Sequence, residues 1–96
     1  MKDEKCIITE LKKLSHTIYS LKFQSNYLMI NSIPGQFLNI KIDNTSPQIL
    51  RRPFSISDIK NNEIEILFNV VGKGTASLAM KKEGEYIDVL GPLGNG

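Results

Sequence analysis

The clearest pattern along this chain is alternation of apolar and polar residues, the period of a strand with one face buried and the other in water. In "TIYSLKF", residues 17–23, Tyr19, Leu21 and Phe23 share a face against Ser20 and Lys22. In "NEIEILFNVV", residues 62–71, Ile64, Ile66, Phe68 and Val70 stand opposite Glu63, Glu65, Leu67 and Asn69. Shorter runs of the same kind occupy Cys6 to Leu11, Phe37 to Ile42, Leu50 to Ser57 and Tyr86 to Leu90. Turn-forming "SNYLMINSIPG", "DNTSP" and "DIKNN" separate them. Six strands are therefore predicted. One helix joins them: Thr75 is placed to cap "ASLAMKK", Lys81 and Lys82 fall in its last turn, and Gly84 ends it. Two helical turns do not hold without tertiary packing. The set predicts an all-β fold, a six-stranded antiparallel Greek-key barrel with one short helix, because closure removes exposed strand edges. No repeat, low-complexity run or composition shift divides residues 1–96, which read as one domain.

Composition narrows the function classes. A chain of 96 residues with 41% hydrophobic and 23% charged residues is ordinary for a small globular domain. Its net charge of +2 is too small for a nucleic-acid binder, which carries a concentrated basic face. Cys6 is the only cysteine, so the chain by itself builds neither a disulfide nor a cysteine-ligated metal cluster. A thiol lining the core is the expectation for it. The opening "MKDEKC" has no apolar leader and no run approaches membrane-spanning length, so the expected location is cytoplasmic, without a membrane partner.

Three stretches carry candidate chemistry. Among 12 basic residues the two arginines stand together in "RRPFSIS", residues 51–57. Arginine presents a flat fork of donors that matches phosphate or carboxylate oxygens, whereas lysine is a hydrated point charge. Alternation puts Arg52, Phe54 and Ile56 on one face and Arg51, Pro53, Ser55 and Ser57 on the other. Pro53 has no N–H, so the strand is expected to be an edge or to bulge there. A solvated edge carrying two surface arginines also satisfies this stretch. In "VVGKGTASL", residues 70–78, Gly72 and Gly74 allow close backbone approach just before a helix start that favours an anion. It is neither a Walker motif nor GxGxxG, and a plain strand-to-helix turn remains open. The third stretch, "GPLGNG", residues 91–96, says only turn.

Taken in order, "PGQFLNI", "RRPFSIS", "VVGKGT" and "GPLGNG" resemble the flavin domain of the ferredoxin reductase superfamily. Within it they are most similar to the electron-transfer subunits of NAD-dependent dihydroorotate dehydrogenase, the B type, of pyrimidine biosynthesis. The resemblance runs from about Cys6 to Gly96, and implies an FAD-binding barrel. On that resemblance Arg52 pairs with the FAD pyrophosphate, Pro53 shapes the strand, Phe54 packs on the flavin ring system and Ser55 hydrogen-bonds near its reactive edge. Leu67, Phe68 and Asn69 line the adjacent contact, and Gly74 and Thr75 hold phosphates through backbone N–H groups. Arg51 receives no role and is expected to be solvated. Relatives often carry arginine where Asn69 stands, which implies a weaker contact there.

The resemblance also implies partners beyond these residues. In the family "GPLGNG" is the hinge into a nicotinamide-binding domain, and the dihydroorotate type then adds cysteines for a [2Fe-2S] cluster; neither segment lies within 1–96. The implied role is passage of electrons between NADH, through that further domain, and a catalytic dihydroorotate dehydrogenase subunit, and this chain alone is expected to bind FAD without completing a cycle. Two alternatives stay open: the flavin domain of a ferredoxin- or sulfide-linked NADPH oxidoreductase, and a cofactor-free barrel acting as a binding or assembly module.

Overall fold

The computed structural model describes residues 1–43 and 50–94. Its elements are β1 (Lys2–Lys13), β2 (Ile18–Gln24), α1 (Asn26–Asn31), β3 (Phe37–Asp43), β4 (Leu50–Lys60), β5 (Glu63–Asn69), α2 (Lys73–Ala79) and β6 (Tyr86–Leu93). The strands close into an antiparallel barrel in the order β1-β2-β5-β4-β3-β6, the Greek-key arrangement the alternation predicts. No helix among the described residues is long and apolar enough to cross a membrane.

Alternation decides what the barrel encloses. Cys6, Ile8, Leu21, Phe23, Leu38, Ile40, Phe54, Ile56, Ile64, Ile66, Phe68, Ile87 and Val89 fill it, each buried. A one-residue slip in any strand would expose that strand's whole apolar set, which is why these registers hold. Polar residues on the outer face pair across strands, as where the Ser20 hydroxyl donates to the Glu65 carboxylate at 2.8 Å. Asn61 and Asn62, both with positive φ, turn β4 into β5.

The prediction of one helix is corrected to two. Residues expected only to turn, "SNYLMIN", contain α1, whose Ser25 oxygen accepts from the Leu28 N–H at 3.0 Å. The Ser25 hydroxyl in turn donates to Glu4 of β1, and Leu28 is fully buried. A serine cap plus one anchoring leucine suffices for so short a helix, and neither makes a periodic pattern. Register puts Gln24 opposite Glu63 and Ile18 opposite Asn69, so α1, after Gln24, and α2, after Asn69, lie at opposite ends of the barrel.

The second helix also differs in detail. It starts at Lys73 with Gly72 as N-cap, and Thr75, inside the helix, reaches backward instead of capping. Its hydroxyl accepts from the Val71 N–H at 2.8 Å and donates to the Gly72 carbonyl at 3.4 Å. The helix ends at Ala79 with Met80 as C-cap, before Lys81, Lys82 and Gly84. Leu78 anchors it in the core against β3. The predicted turn at "DNTSP" falls largely on residues 44–49, outside the described residues. "GPLGNG" is not simply a turn, since β6 continues through Leu93.

Gly91 shows why. A Cβ there would stand 2.5 Å from the Leu38 Cδ2, in the core, so β6 passes β3 closely only without a side chain. Gly91→Ala is expected to destabilise the domain by about 1–3 kcal/mol through overpacking, a fall in melting temperature that Leu38→Val partly restores. Equal melting temperatures for wild type and Gly91→Ala would show that the core yields freely at this point.

Cys6 is buried as expected, and its thiol lies 3.4 Å from a Glu4 carboxylate oxygen. Burial first, and the Glu4 charge second, push its pKa well above the ordinary thiol value. The sign follows: the stabilisation is complete below the unfolded thiol's pKa of about 8.5 and declines as pH rises past it, because only the unfolded chain gains by ionising. Urea midpoints at neutral and alkaline pH are expected to fall further for wild type than for Cys6→Ala. An identical alkaline decline in both would show that Cys6 does not contribute.

Candidate functional site

The site originates in an incomplete ladder. Strands β4 and β5 pair from Lys60 opposite Glu63 to Ile56 opposite Ile66, and the pairing goes no further. A bulge at Ser57 lies just inside this limit, held by the Ser57 hydroxyl donating to the Glu65 side chain at 2.8 Å. Beyond it, residues 50–55 pair only with β3, and Leu67 to Asn69 pair only with β2. Pro53 therefore sits on a locally open edge where no ladder N–H is required on that side, as its chemistry demands. Of the edge or bulge expected at Pro53 the edge is what forms, and the bulge of this strand against β5 lies at Ser57.

Across the seam side chains replace backbone bonds. Phe54 and Phe68 meet edge-on, ring centroids 5.9 Å apart, and Phe68 stacks on Tyr19 at 5.6 Å. Both phenylalanines are nearly enclosed, at 8% and 4% exposed, so what they offer the surface is an apolar floor. Leu67 adds an exposed apolar wall at 45%.

Above this floor runs a groove of about 670 Å³ lined by Arg52, Pro53, Phe54, Ser55, Leu67, Phe68, Asn69, Val71, Gly72, Lys73, Gly74 and Thr75. That volume lies within the roughly 300–1,000 Å³ of ligand sites. All nine candidates named from the sequence, Arg52, Pro53, Phe54, Ser55, Leu67, Phe68, Asn69, Gly74 and Thr75, meet in it. The seam brings the β4 and β5 residues together, and the loop entering α2 closes one end. Gly72 forms that corner at φ 118°, a conformation costly to any residue with a side chain.

The paired arginines part ways. By register Arg52 lies opposite Ile40, an inward position, yet it is exposed because β5 does not run beside it. A guanidinium closed into that core without a partner would cost several kcal/mol at the least. At the seam it is exposed, with no carboxylate within ion-pair distance among the described residues. Arg51 is half-buried rather than freely solvated: it pairs with Asp3 of β1 at 3.2 Å and donates to the Asn39 carbonyl at 3.5 Å. One arginine ties strands together and the other faces the groove.

Val71 and Lys73 line the groove without having been picked out from the sequence, and Gly72, named there with Gly74 for close backbone approach, supplies its corner. The signal for Lys73 was present, as the cation between two glycines in "GKG". No group of three or more His, Cys, Asp or Glu able to hold a metal occurs among the described residues. An apolar floor, a hydroxyl, an amide and two cations, without a carboxylate among the described lining residues, fit an anionic ligand that also carries an aromatic ring.

Known proteins resemble this chain. The chain is 41% identical, over its full length, to the electron-transfer subunit of dihydroorotate dehydrogenase B (NAD(+)) of Fusobacterium nucleatum, and 40% identical to that of Bacillus cereus strain G9842. It spans 38% of the length of each of these relatives. Among solved structures, the NADH-dependent reduced ferredoxin-NADP oxidoreductase, studied for flavin-based electron bifurcation, superposes with a TM-score of 0.84 at 32% identity, covering 94% of this chain and 33% of that one. The flavohemoglobin of Malassezia yamatoensis, with bound FAD and heme, shares the fold at a TM-score of 0.81 and 15% identity, covering 99% of this chain and 26% of that one. The family model described as the oxidoreductase FAD-binding domain matches residues 5–96, floor, seam and corner included, and this chain belongs to that family.

Proposed function

We propose that the groove between β4, β5 and α2 holds FAD, and that the chain is the flavin domain of an electron-transfer subunit of the dihydroorotate dehydrogenase B type. The observation that carries this reading is the convergence in one groove of the residues that the resemblance assigns to flavin contact. Identity of about 40% across the whole chain supports the choice of subfamily. Bound FAD supplies the exchange of electron pairs for single electrons that such a subunit needs.

The residues of this chain divide the work of binding. Arg52 presents its fork to the diphosphate, and the backbone N–H groups of Gly74 and Thr75 offer further donors. Thr75 reserves its hydroxyl for the Val71 and Gly72 backbone and thereby keeps the corner in shape. Phe54, Phe68 and Leu67 exclude water from the ring-bearing end. Ser55 places a hydroxyl on that wall, where it orients the ring's polar edge, and Asn69 offers an amide at the rim. In this reading NADH, the catalytic dihydroorotate dehydrogenase subunit and a cytoplasmic location belong to the assembled enzyme, with NADH engaged through the relatives' further length. A second reading, a ferredoxin- and NADP-linked flavin domain, draws on the 32% identical neighbour.

The paired arginines test the site. Arg52→Ala is expected to weaken FAD binding by about tenfold to a hundredfold, the loss of one or two charge-assisted bonds. Arg51→Ala is expected to leave affinity within about twofold and to lower stability by no more than about 1 kcal/mol. Fluorescence titration with FAD reads both; equal losses would refute the assignment, and absence of any FAD binding by the wild type would favour the cofactor-free barrel.

The subfamily is tested by electron transfer. Chemically reduced, FAD-loaded protein is expected to be reoxidised faster by a catalytic dihydroorotate dehydrogenase subunit of the B type than by ferredoxin, followed by absorbance of the flavin band. The opposite order would select the ferredoxin-linked reading.

A further inference from the structure

Charge is distributed unevenly among the surface depressions. The depression lined by Lys22, Asp58, Lys60, Asn61, Glu63 and Glu65 mixes both signs, and the one beside α1 sets Lys2 and Lys5 against Glu4. Among its described lining residues the groove at the β4–β5 seam contains Arg52 and Lys73 and no carboxylate. Elsewhere Lys2 pairs with Glu4 at 3.8 Å and Lys22 with Glu10 at 3.5 Å, whereas the other lysines, spread over the surface, have no ion pair among the described residues. Lys73 is exposed and has no ion-pair partner among the described residues. Two uncompensated cations in one groove raise its potential and cost self-repulsion when nothing anionic lies between them.

Their placement adds to this. Arg52 stands on β4 and Lys73 on the loop wall at the start of α2, so the cations come from separate walls. Gly72, at φ 118°, and the Thr75 hydroxyl bound to the Val71 N–H together fix where residue 73 leaves the loop. The position of Lys73 is thus built, although its side chain is free to adjust.

We infer that Lys73 is a second diphosphate-binding cation, and that with Arg52 it makes the groove select a flavin carrying a diphosphate over one that lacks it. This inference rests on the FAD reading above. A diphosphate offers two anionic groups and the groove two cations, whereas riboflavin offers neither charge. The fork of Arg52 fixes geometry, and the ammonium of Lys73 contributes a screened point charge. Lys73 is therefore a specificity residue whose effect depends on salt.

The experiment measures Kd for FAD and for riboflavin at low and at high salt, with wild type, Lys73→Gln and Lys73→Arg. At low salt Lys73→Gln is expected to weaken FAD by about twofold to fivefold, as for an exposed charge-assisted contact. Riboflavin affinity should stay unchanged, Lys73→Arg should retain most of the FAD affinity, and the Gln variant and wild type should converge at high salt. Thermal melts of the variants should coincide with wild type, since the side chain is exposed. A Lys73→Gln variant with unaltered FAD affinity at low salt overturns the inference, as does equal loss for FAD and riboflavin or a loss that salt does not diminish. Failure of the FAD reading itself is distinguishable, because then wild type binds neither flavin.

Discussion

The ladder between β4 and β5 stops at Ile56 and Ile66, and the rest of the site depends on that interruption. In a fully laddered barrel every inward position has to be apolar, and Arg52, opposite Ile40, would be a buried unpaired charge. With the seam open the same register delivers a guanidinium to water at the edge of an apolar floor. Phe54 and Phe68 close the gap beneath it by side-chain contact. The interruption thus turns a core position into a binding position without disturbing the core below.

This arrangement separates stability from binding by short distances along the chain. Arg51 ties β4 to Asp3 of β1 while its neighbour faces the groove. Phe68 is core by burial and groove floor by position. In α2, Leu78 anchors the helix while Lys73, Gly74 and Thr75 at its start line the groove. At the opposite end α1 repeats the anchoring device with Leu28, where the adjoining depression is mixed in charge. The two barrel ends thus share an architecture and differ in electrostatics.

Known proteins carry the same barrel over a wide range of identity. At 15% identity the flavohemoglobin domain keeps the barrel, which needs only alternation and closure. At about 40% identity the dihydroorotate dehydrogenase B subunits share far more of the chain's particular residues. The fold tolerates wide substitution because any apolar side chains of suitable volume fill the inward positions, whereas a groove depends on individual donors and cations.

The sequence by itself determined the strands, because a period of two with one apolar face is a local property that survives only as a half-buried strand. It also determined which residue types could bind an anion: adjacent arginines and a glycine-rich entry to a helix are legible without coordinates. It did not determine α1, where a serine cap and a single leucine make no periodic signal, nor the position of the bulge. It set Arg51 and Arg52 on opposite faces of a strand, but did not reveal that Arg51 is tied down, which requires Asp3, 48 positions earlier, to be brought alongside it. Lys73 became visible as a groove residue only once the seam set it in the same space as Arg52. Those decisions belonged to the tertiary structure, because each depends on which groups distant in the chain are neighbours in space, and on where a ladder between two strands ends.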